Sequence, residues 1–376
     1  MSKIIPYGRQ HINYNDKKLV TKTLSNQLIT TGNEVNRFEK KIKNYLKCKF
    51  ATVCSSGTSA IFLALASINL NENDIIIMPA INFVSSYSVC RFFKAKIYLA
   101  DVDELSGQIT PKSIIECCKK NKLKKVKAII VMYHGGYPQF VDKYIMLKKK
   151  FGCTIIEDAC HAFGATYKFK GKNVKVGSCK HADLSTFSFH PVKTITTGEG
   201  GIITTNNKSL DKKIKLLRSH GIIKKKDHWK YDIKHPSLNF RLNDFQCSLG
   251  ISQLKRINSF LKKRQKISLT YRKQLSKIKK IKMVNYEKEK ISSNHLFLIH
   301  LNSNKEKFIK YMLRNKIIVQ FHYIPIYKFS FYTGNKNFPN SEKYFNSAVS
   351  LPIYFDLSSK QQRIIINKII SFFKKK

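Results

Sequence analysis

The sequence predicts an α/β protein with a large domain on a mostly parallel central sheet and a smaller C-terminal α+β domain. Short apolar runs of strand length alternate with helical or loop segments through the first two thirds of the 376 residues. This alternation is typical of strands covered by helices on both faces. From about residue 250 the chain changes to long basic helical stretches with fewer strands. We therefore predict domains at residues 1–250 and 251–376.

The predicted elements follow in chain order. A strand at residues 51–54 leads through a serine and glycine turn into residues 58–65, a helix that is apolar on every face and therefore buried. Further strands of the large sheet are predicted at residues 74–78, 96–99, 128–132, 154–156, 183–189 and 201–204. In the C-terminal part we predict helices at residues 249–257 and 361–373 and strands at residues 295–301 and 317–321.

The charge of the chain is strongly positive but unevenly distributed. A formal net charge of +47 raises the question of a nucleic-acid or anionic-membrane partner. Residues 51–100 hold three basic and two acidic residues, whereas residues 251–300 hold fourteen and two. Because the excess lysines are mixed with many Ile and Asn residues, a bias toward adenine- and thymine-rich codons explains them better than a polyanion surface. We therefore predict no nucleic-acid partner.

Signals for metal binding, secretion and membrane insertion are missing from the sequence. The nine Cys residues include no Cys-x-x-Cys pair, and no His and Cys group has the spacing of zinc ligands. The first six residues lack an apolar signal segment, and no uncharged apolar run is long enough to cross a bilayer. We expect a cytoplasmic protein with reduced thiols, no metal and no membrane partner.

Lys193 stands apart from the other lysines because it lies between two strand-like segments. Residues 183–189 alternate like a half-buried strand, and a glycine-rich turn follows at residues 196–201. A fixed, partly desolvated lysine can lose its proton near neutral pH and form a Schiff base with an aldehyde cofactor. Lys193 is therefore the first candidate catalytic residue.

Two further segments have the composition of a cofactor site. Gly57, Thr58 and Ser59 stand where a strand meets a buried helix, and the free amides of such a helix attract a phosphate. A plain N-cap would explain the same residues. Asp158 ends a strand, where a buried carboxylate needs a cation such as a protonated ring nitrogen. An aspartate that caps the next helix is the alternative for this position.

His161 and Phe83 carry weaker signals. His161 follows Asp158 by three residues and is as compatible with a hydrogen-bonded core histidine as with a contact to a cofactor ring. Phe83 comes just after a strand and could stack on a planar ring, although an aromatic residue at this place is also ordinary core.

Taken together, these segments resemble the DegT/StrS family of nucleotide-sugar aminotransferases, which use pyridoxal 5'-phosphate in the fold-type I architecture. The resemblance covers nearly the whole chain and is carried by residues 188–201, 157–164 and 56–60. It implies that Lys193 and Asp158 are catalytic, the first as the Schiff-base lysine and the second facing the pyridinium. It implies these cofactor-binding residues: Gly57, Thr58, Ser59, Phe83, Asp158, His161, Ser188, Lys193 and Asn239.

Residues 5–10, 218–221, 239–244, 292–296 and 322–327 resemble a narrower group within the family. Its members convert a UDP-4-keto-6-deoxy-N-acetylhexosamine into UDP-4-amino-4,6-dideoxy-N-acetyl-β-L-altrosamine, and the resemblance implies this pseudaminic acid pathway reaction with L-glutamate as the amino donor. The resemblance implies a homodimer in which Asn239 reaches the neighbouring site. Ser237 and Leu238 replace the Gly-Tyr pair that many members place before this asparagine. The implied sugar contacts are Tyr7, Gln27, Leu28, Ile29, Thr30, Thr31, His322, Tyr323, Ile324 and Pro325.

Two alternatives stay open from the sequence. An aminotransferase that acts on another nucleotide, ketosugar or ring carbon would carry the same cofactor motifs. A basic nucleic-acid-binding protein on an inherited enzyme fold is the more distant alternative, because it would leave Lys193, Asp158 and the phosphate turn without a use.

Overall fold

The computed structural model describes residues 4–227, 229–287, 289–302 and 304–374. These residues form twelve α-helices and fourteen β-strands. The helices are α1 Tyr14–Leu24, α2 Asn33–Leu46, α3 Gly57–Ser67, α4 Val84–Phe92, α5 Pro111–Lys120, α6 Val141–Phe151, α7 Lys208–Arg218, α8 Asp244–Lys255, α9 Ile257–Leu275, α10 Lys305–Arg314, α11 Pro339–Ser347 and α12 Ser359–Lys374. The strands are β1 Phe50–Cys54, β2 Ile75–Pro79, β3 Lys96–Ala100, β4 Ala128–Met132, β5 Thr154–Asp158, β6 Thr166–Phe169, β7 Lys172–Lys175, β8 Leu184–Ser188, β9 Gly201–Thr205, β10 Ile222–Lys224, β11 Tyr231–Ile233, β12 Ile281–Lys282, β13 Phe297–Leu301 and β14 Ala348–Leu351.

A seven-stranded sheet forms the centre of the larger part of the chain. Its strand order is β1-β9-β8-β5-β4-β2-β3, and only β9 runs antiparallel to its neighbours. All five residues of β4 are buried, because helices cover both faces of the sheet. The structure confirms the predicted α/β fold with a mostly parallel sheet. The pairing of β4 with β5 sets Met132 opposite Asp158 at the carboxyl end of the sheet.

The two faces of this sheet have separate apolar cores. On one face, side chains of α2 and α8 such as Phe38 and Ile251 pack against Ile155 of β5. On the other face, the buried helix α3 packs residues such as Leu65 against Ile156 of the same strand. Alternate residues of one strand therefore point into different cores, as the pleat requires.

A three-stranded antiparallel sheet, β12-β13-β14, forms the centre of the C-terminal part. It packs against α9, α10 and α12 in a third apolar core that includes Tyr271, Phe308 and Ile365. The strand predicted at residues 295–301 is present as β13. The strand predicted at residues 317–321 is wrong, because the segment makes only isolated bridges, one from Ile317 to the N-terminal chain and one from residue 320 to β14.

The proposed division of the chain at residue 250 stays a prediction. Residue 250 lies inside α8, and the helix predicted at residues 249–257 overlaps the second half of that helix. The helix predicted at residues 361–373 lies within α12. Among the helices of the described ranges, none has both the length and the apolar character needed to cross a membrane.

Candidate active site

A cavity of about 340 Å³ opens where β5 and β8 end. The carboxyl ends of parallel strands are where α/β sheets usually bind ligands. The cavity brings together residues that are far apart in the chain and that the sequence had assigned to the cofactor or the sugar. These residues are Tyr7, Gly57, Thr58, Phe83, Asp158, His161, Ser188, Lys193, His322 and Tyr323.

Lys193 is held at the floor of the cavity by a tight turn after β8. Its backbone amide donates to the carbonyl oxygen of His190 at 2.9 Å. The side chain is half-buried, and its amine forms neither an ion pair nor a hydrogen bond with any described residue. Burial lowers the pKa of Lys193, while Cys160 and Asp158 act in the opposite direction. The lowered pKa increases the fraction of uncharged amine, which is the nucleophilic form.

Asp158 is the last residue of β5, and it lies beside the end of β4. Its side chain faces the cavity, and the residue is 2 % exposed. One carboxylate oxygen accepts a hydrogen bond from the Ser86 hydroxyl at 3.2 Å, and the other accepts from the Cys160 amide at 3.3 Å. No basic side chain of the described residues pairs with it. A buried carboxylate with only neutral donors still lacks a cation, so Asp158 suits a protonated ring nitrogen.

Ser86 was missed by the sequence reasoning. It lies in the first turn of α4, three residues after Phe83, and its fully buried hydroxyl orients Asp158. The only sequence signal is the position of this serine at the start of a helix that follows a strand.

The turn before α3 borders one end of the cavity. A Cβ atom on Gly57 would lie 2.8 Å from the Ser188 Cβ, and one on Gly201 would lie 2.1 Å from the carbonyl oxygen of Ser56. Glycine at both positions therefore allows β8 and β9 to approach the turn closely. The N-terminal amides of α3 and the Thr58 side chain border this space, as an anion site requires.

Ser59 lies beside this turn and does not line the cavity. Its hydroxyl is within hydrogen-bond distance of the hydroxyls of Ser55, at 2.8 Å, and Ser56, at 2.9 Å. Its amide donates to the Ser56 hydroxyl at 3.0 Å, which makes Ser56 the N-cap of α3. In this structure Ser59 stabilises the shape of the turn.

His161 is a neutral ring in a hydrogen-bonded chain. The Gly135 amide donates to His161 Nδ1 at 3.3 Å, so the ring proton is on Nε2, which donates to the Tyr323 hydroxyl at 2.9 Å. Burial lowers the pKa of His161 well below its usual range, and the charge of Lys193 adds to this effect. Since Tyr323 accepts from His161, its own hydroxyl proton is left to donate into the cavity.

Three more buried histidines surround His161, of which His295 and His322 line the upper wall of the cavity and His134 lies behind it. Burial lowers the pKa of His134 and of His322 to about 3, and it lowers the pKa of His295 well below its usual range. The His295 ring lies 4.2 Å from that of His161, measured between centroids. All four rings are therefore neutral at physiological pH. The sequence reasoning gave no site role to Ser85, Met132, Cys160, His190, Val192, Glu199 and His295, which line the cavity.

Other predicted residues lie outside the cavity of their own chain. Asn239 is exposed after the β10-β11 hairpin, and residues 27–31 form an exposed segment after α1. Thr30 pairs with Asn243, so the two regions lie side by side. Ile324 and Pro325 lie behind the cavity wall, next to a short 3₁₀ turn at Ile326–Lys328. The predicted contacts of these residues stay predictions.

The residues of the cavity fit the predicted cofactor. The turn before α3 offers amides and hydroxyls for a phosphate, Asp158 offers a carboxylate for a cationic ring nitrogen, and Lys193 offers an amine for a carbonyl carbon. Across the described ranges, no three His, Cys, Asp or Glu side chains are grouped so that they could hold a metal ion.

Comparison with known proteins identifies the family. The profile of the DegT/DnrJ/EryC1/StrS aminotransferase family matches residues 10–370. The chain belongs to this family. The aminotransferase is 36 % identical, over 99 % of its length and 98 % of the relative, to the UDP-4-amino-4,6-dideoxy-N-acetyl-β-L-altrosamine transaminase of Campylobacter jejuni.

Solved structures of similar proteins cover the whole chain. The aminotransferase superimposes on Helicobacter pylori PseC, an aminotransferase involved in pseudaminic acid biosynthesis, with a TM-score of 0.90, 29 % identity and full coverage of both chains. It superimposes equally well, with a TM-score of 0.90, on the PLP form of a proposed sugar aminotransferase of Streptococcus pneumoniae, at 25 % identity and 99 % coverage of both chains. The fold is therefore that of PLP-dependent sugar aminotransferases, as the sequence predicted.

Proposed function

We propose that the protein transfers an amino group from L-glutamate to carbon 4 of a UDP-4-keto-6-deoxy-N-acetylhexosamine, as in the pseudaminic acid pathway. The observation that carries the proposal is the pair at the cavity floor. It consists of a half-buried Lys193 amine, which has no ion pair within the described ranges, and the buried Asp158 carboxylate. The full-length similarity to the Campylobacter jejuni transaminase supports the choice of sugar.

Pyridoxal 5'-phosphate, when bound, supplies a reactive carbonyl and an electron-withdrawing ring. Asp158 would accept a hydrogen bond from the ring nitrogen and keep it protonated, while Phe83 would lie against the face of the ring. The α3 amides, Thr58 and Ser188 would hold the phosphate. The Lys193 amine would hold the carbonyl group of the cofactor and serve as the base that carries a proton.

The neutral upper wall of the cavity binds the sugar in this proposal. Tyr7 and His322 pack together with ring centroids 5.7 Å apart, and the Tyr323 hydroxyl, which accepts from His161, has its own proton left to donate to a ligand. Uncharged rings and hydroxyls suit a sugar, whose groups are neutral hydrogen-bond donors and acceptors. Holding the sugar carbon above the cofactor accounts for much of the rate enhancement.

We also propose a homodimer, in which Asn239 and residues 27–31 complete the site of the neighbouring subunit. Both segments are exposed and adjacent in the single subunit. Leu28, Ile29 and Leu238 expose large apolar side chains to solvent there. Such a patch is typical of an interface. A nucleotide-sugar substrate and L-glutamate are both available in the cytoplasm, which remains the proposed location.

The decisive experiment is an amination assay with purified protein, pyridoxal 5'-phosphate and L-glutamate. We expect a UDP-4-keto-6-deoxy-N-acetylhexosamine to be converted into the 4-amino sugar, read by product mass. Ketosugars with another nucleotide or with the keto group on another carbon should react at least about tenfold more slowly, because binding contacts differ. Faster reaction of one of these sugars would overturn the substrate, and no reaction with any of them would overturn the proposed activity.

Lys193→Ala tests the reactive amine in the same assay. The variant should lose turnover by about four orders of magnitude, since both the attachment point and the proton carrier are removed. Borohydride treatment of the wild-type protein should fix the cofactor mass on the peptide that contains Lys193. Lys172→Ala, which removes an exposed lysine of β7, is the matched control and should keep the wild-type rate.

A further inference from the structure

Arg264 on α9 is a buried cation without a carboxylate. The side chain is 3 % exposed. No acidic group of the described residues forms an ion pair with its guanidinium. By contrast, Arg218 pairs with Glu39 and Arg256 pairs with Asp16. Since burying an unpaired charge is costly, the position of Arg264 calls for a reason beyond packing.

The guanidinium joins two loops that border the cavity. Its Nη1 donates to the carbonyl oxygens of Asn294 at 3.3 Å, His295 at 3.2 Å and Ile353 at 3.0 Å. The His295 side chain lines the cavity, and the Ile353 amide donates to the carbonyl oxygen of Tyr7 at 3.1 Å. The Nη1 nitrogen of Arg264 therefore holds the backbone of His295 directly and that of Tyr7 through Ile353.

Arg264 is also close to the floor of the site. It lines a cleft of about 10 Å³ together with Lys193, Thr194 and Thr196. Arg9 and His11 line the same cleft, which has room for about one water molecule. Burial lowers the pKa of Arg264 to about 10, which leaves it charged at neutral pH. Its charge is one of the causes, after burial, that lower the pKa of Lys193.

We propose that Arg264 is a positioning residue of the aminotransferase, which fixes the loops behind His295 and Tyr7 and maintains a permanent positive charge behind Lys193. A cation in this place disfavours the protonated amine and so increases the reactive form. This role rests on the proposed function, because only an amine that reacts with a carbonyl benefits from being uncharged.

The Lys193 amine is surrounded by groups of both signs and by neutral rings. Asp158 and Cys160 follow β5 and raise its pKa, whereas Arg264 on α9 lowers it. Electrostatic interactions also couple Lys193 to four neutral imidazoles, and two titratable groups line the rim of the same cavity. The imidazoles are those of His134, His161, His295 and His322, and the rim groups are His190 and Glu199.

The charge is tested with Arg264→Gln, which keeps a hydrogen-bond donor and removes the cation. In full-length protein freed of cofactor, the rate of acetylation of Lys193 is measured against pH by peptide mass spectrometry. We expect the midpoint to rise by roughly one pH unit, because a nearby like charge is lost. In cofactor-loaded protein, the pH midpoint of the visible absorption should move in the same direction.

The matched control is Arg272→Gln on the same helix. Arg272 donates to the carbonyl oxygen of Val284 and lies over the Tyr286 ring, and it is not among the groups that shift Lys193. Its loss should leave the midpoint unchanged. If Arg264→Gln also leaves the midpoint unchanged, the charge has no role. Acetylation needs no substrate, so this result is independent of whether the proposed sugar activity holds.

The anchoring is tested with Arg264→Lys, which keeps the charge but whose side chain is one atom shorter, so that its nitrogen does not reach the place of Nη1 beside the three carbonyl oxygens. We expect the KM for the sugar to rise about tenfold with kcat within about threefold, and the acetylation midpoint to stay near that of wild type. A wild-type KM in this variant would overturn the anchoring. A variant that loses only thermal stability would identify Arg264 as a structural residue.

Discussion

Two successive carboxylates at the end of β5 face opposite sides of the seven-stranded sheet, and their surroundings differ. Glu157 shares its face with Ile155, in the core that α2 and α8 cover. His181 Nε2 lies 2.5 Å from one Glu157 oxygen, which also accepts from the Tyr133 hydroxyl at 2.7 Å. The Ser185 hydroxyl donates to the other oxygen. Glu157 is thus fully buried and fully satisfied by protein groups.

Asp158 has no comparable set of partners on the other face. It accepts one hydroxyl and one amide hydrogen bond and has no cation within the described ranges, although it is nearly as buried as Glu157. The difference teaches that burial alone does not mark a functional carboxylate. Glu157 completes its own pairing during folding, whereas Asp158 is left with an electrostatic requirement that a ligand has to meet.

The largest effect expected from this comparison is that of Asp158→Asn on activity. The amide keeps the size, accepts from the Cys160 amide at its oxygen and donates to a reoriented Ser86 hydroxyl, but it removes the charge opposite the ring nitrogen, so kcat/KM should fall by about 10³-fold. Steady-state amination rates measure this change. The free energy of unfolding of the cofactor-free protein, measured with urea, should stay within about 0.5 kcal/mol of wild type.

A loss of stability as large as the loss of activity in Asp158→Asn would break the comparison. It would mean that Asp158 is a structural carboxylate like Glu157. Ser86→Ala should lower the activity less than Asp158→Asn does, because it removes one hydrogen bond to Asp158 and leaves the charge in place.

Glu157→Gln is expected to lower the stability of the protein and to leave its activity nearly unchanged. Removing one partner of a buried pair leaves His181 with a neutral amide, and the free energy of unfolding should fall by about 3 kcal/mol at neutral pH. Urea unfolding of the cofactor-free protein measures it. In refolded, cofactor-loaded protein, kcat should remain within about threefold of wild type, because Glu157 does not line the cavity.

The same pair predicts a pH dependence of stability. Burial alone would raise the pKa of Glu157, but the charge and hydrogen bonds of His181 and the hydroxyls of Ser185 and Tyr133 lower it below its ordinary value. A carboxylate with a lowered pKa stabilises the fold above the unfolded-state pKa, and this contribution is lost as pH falls through the folded-state pKa. The wild-type protein should therefore lose stability below about pH 4 more steeply than Glu157→Gln.

The part of the site that is formed by strand ends and by the turns next to them was predictable from the sequence, because its signals are local. Fully apolar runs such as Ala128–Met132 identify buried strands, and glycines next to Lys193 identify a turn that brings backbone close to a ligand. The positions of Asp158 and Gly57 at strand ends follow from the same local pattern. The residues that border the floor of the cavity could therefore be named before any contact was known, while their roles toward a cofactor stay predictions.

The support of the ring wall was not predictable in this way. Ser86 and Arg264 enter the site through contacts across 30 or more residues, and nothing in the neighbouring sequence marks them. His295 lies in a segment, residues 292–296, that carries part of the family resemblance, but it had no assigned role. The wrong strand at residues 317–321 has a related cause, since an apolar run does not reveal whether a partner strand continues beside it. Both depend on tertiary packing.

The smallest expected effect is that of Tyr323→Phe, which separates the neutral upper wall of the cavity from its floor. Tyr323→Phe removes the hydroxyl that accepts from His161 and donates inward, but leaves Lys193 and Asp158 untouched. We expect kcat/KM for the sugar to fall about tenfold, because one hydrogen bond is lost. The rate of the half-reaction with L-glutamate, measured from the absorbance of the cofactor, should change by less than about threefold.

Tyr327→Phe, whose hydroxyl donates to Glu342 outside the cavity, is the control. Equal slowing of both half-reactions in Tyr323→Phe would assign the hydroxyl to the cofactor and leave the neutral rings without a separate role in binding the sugar.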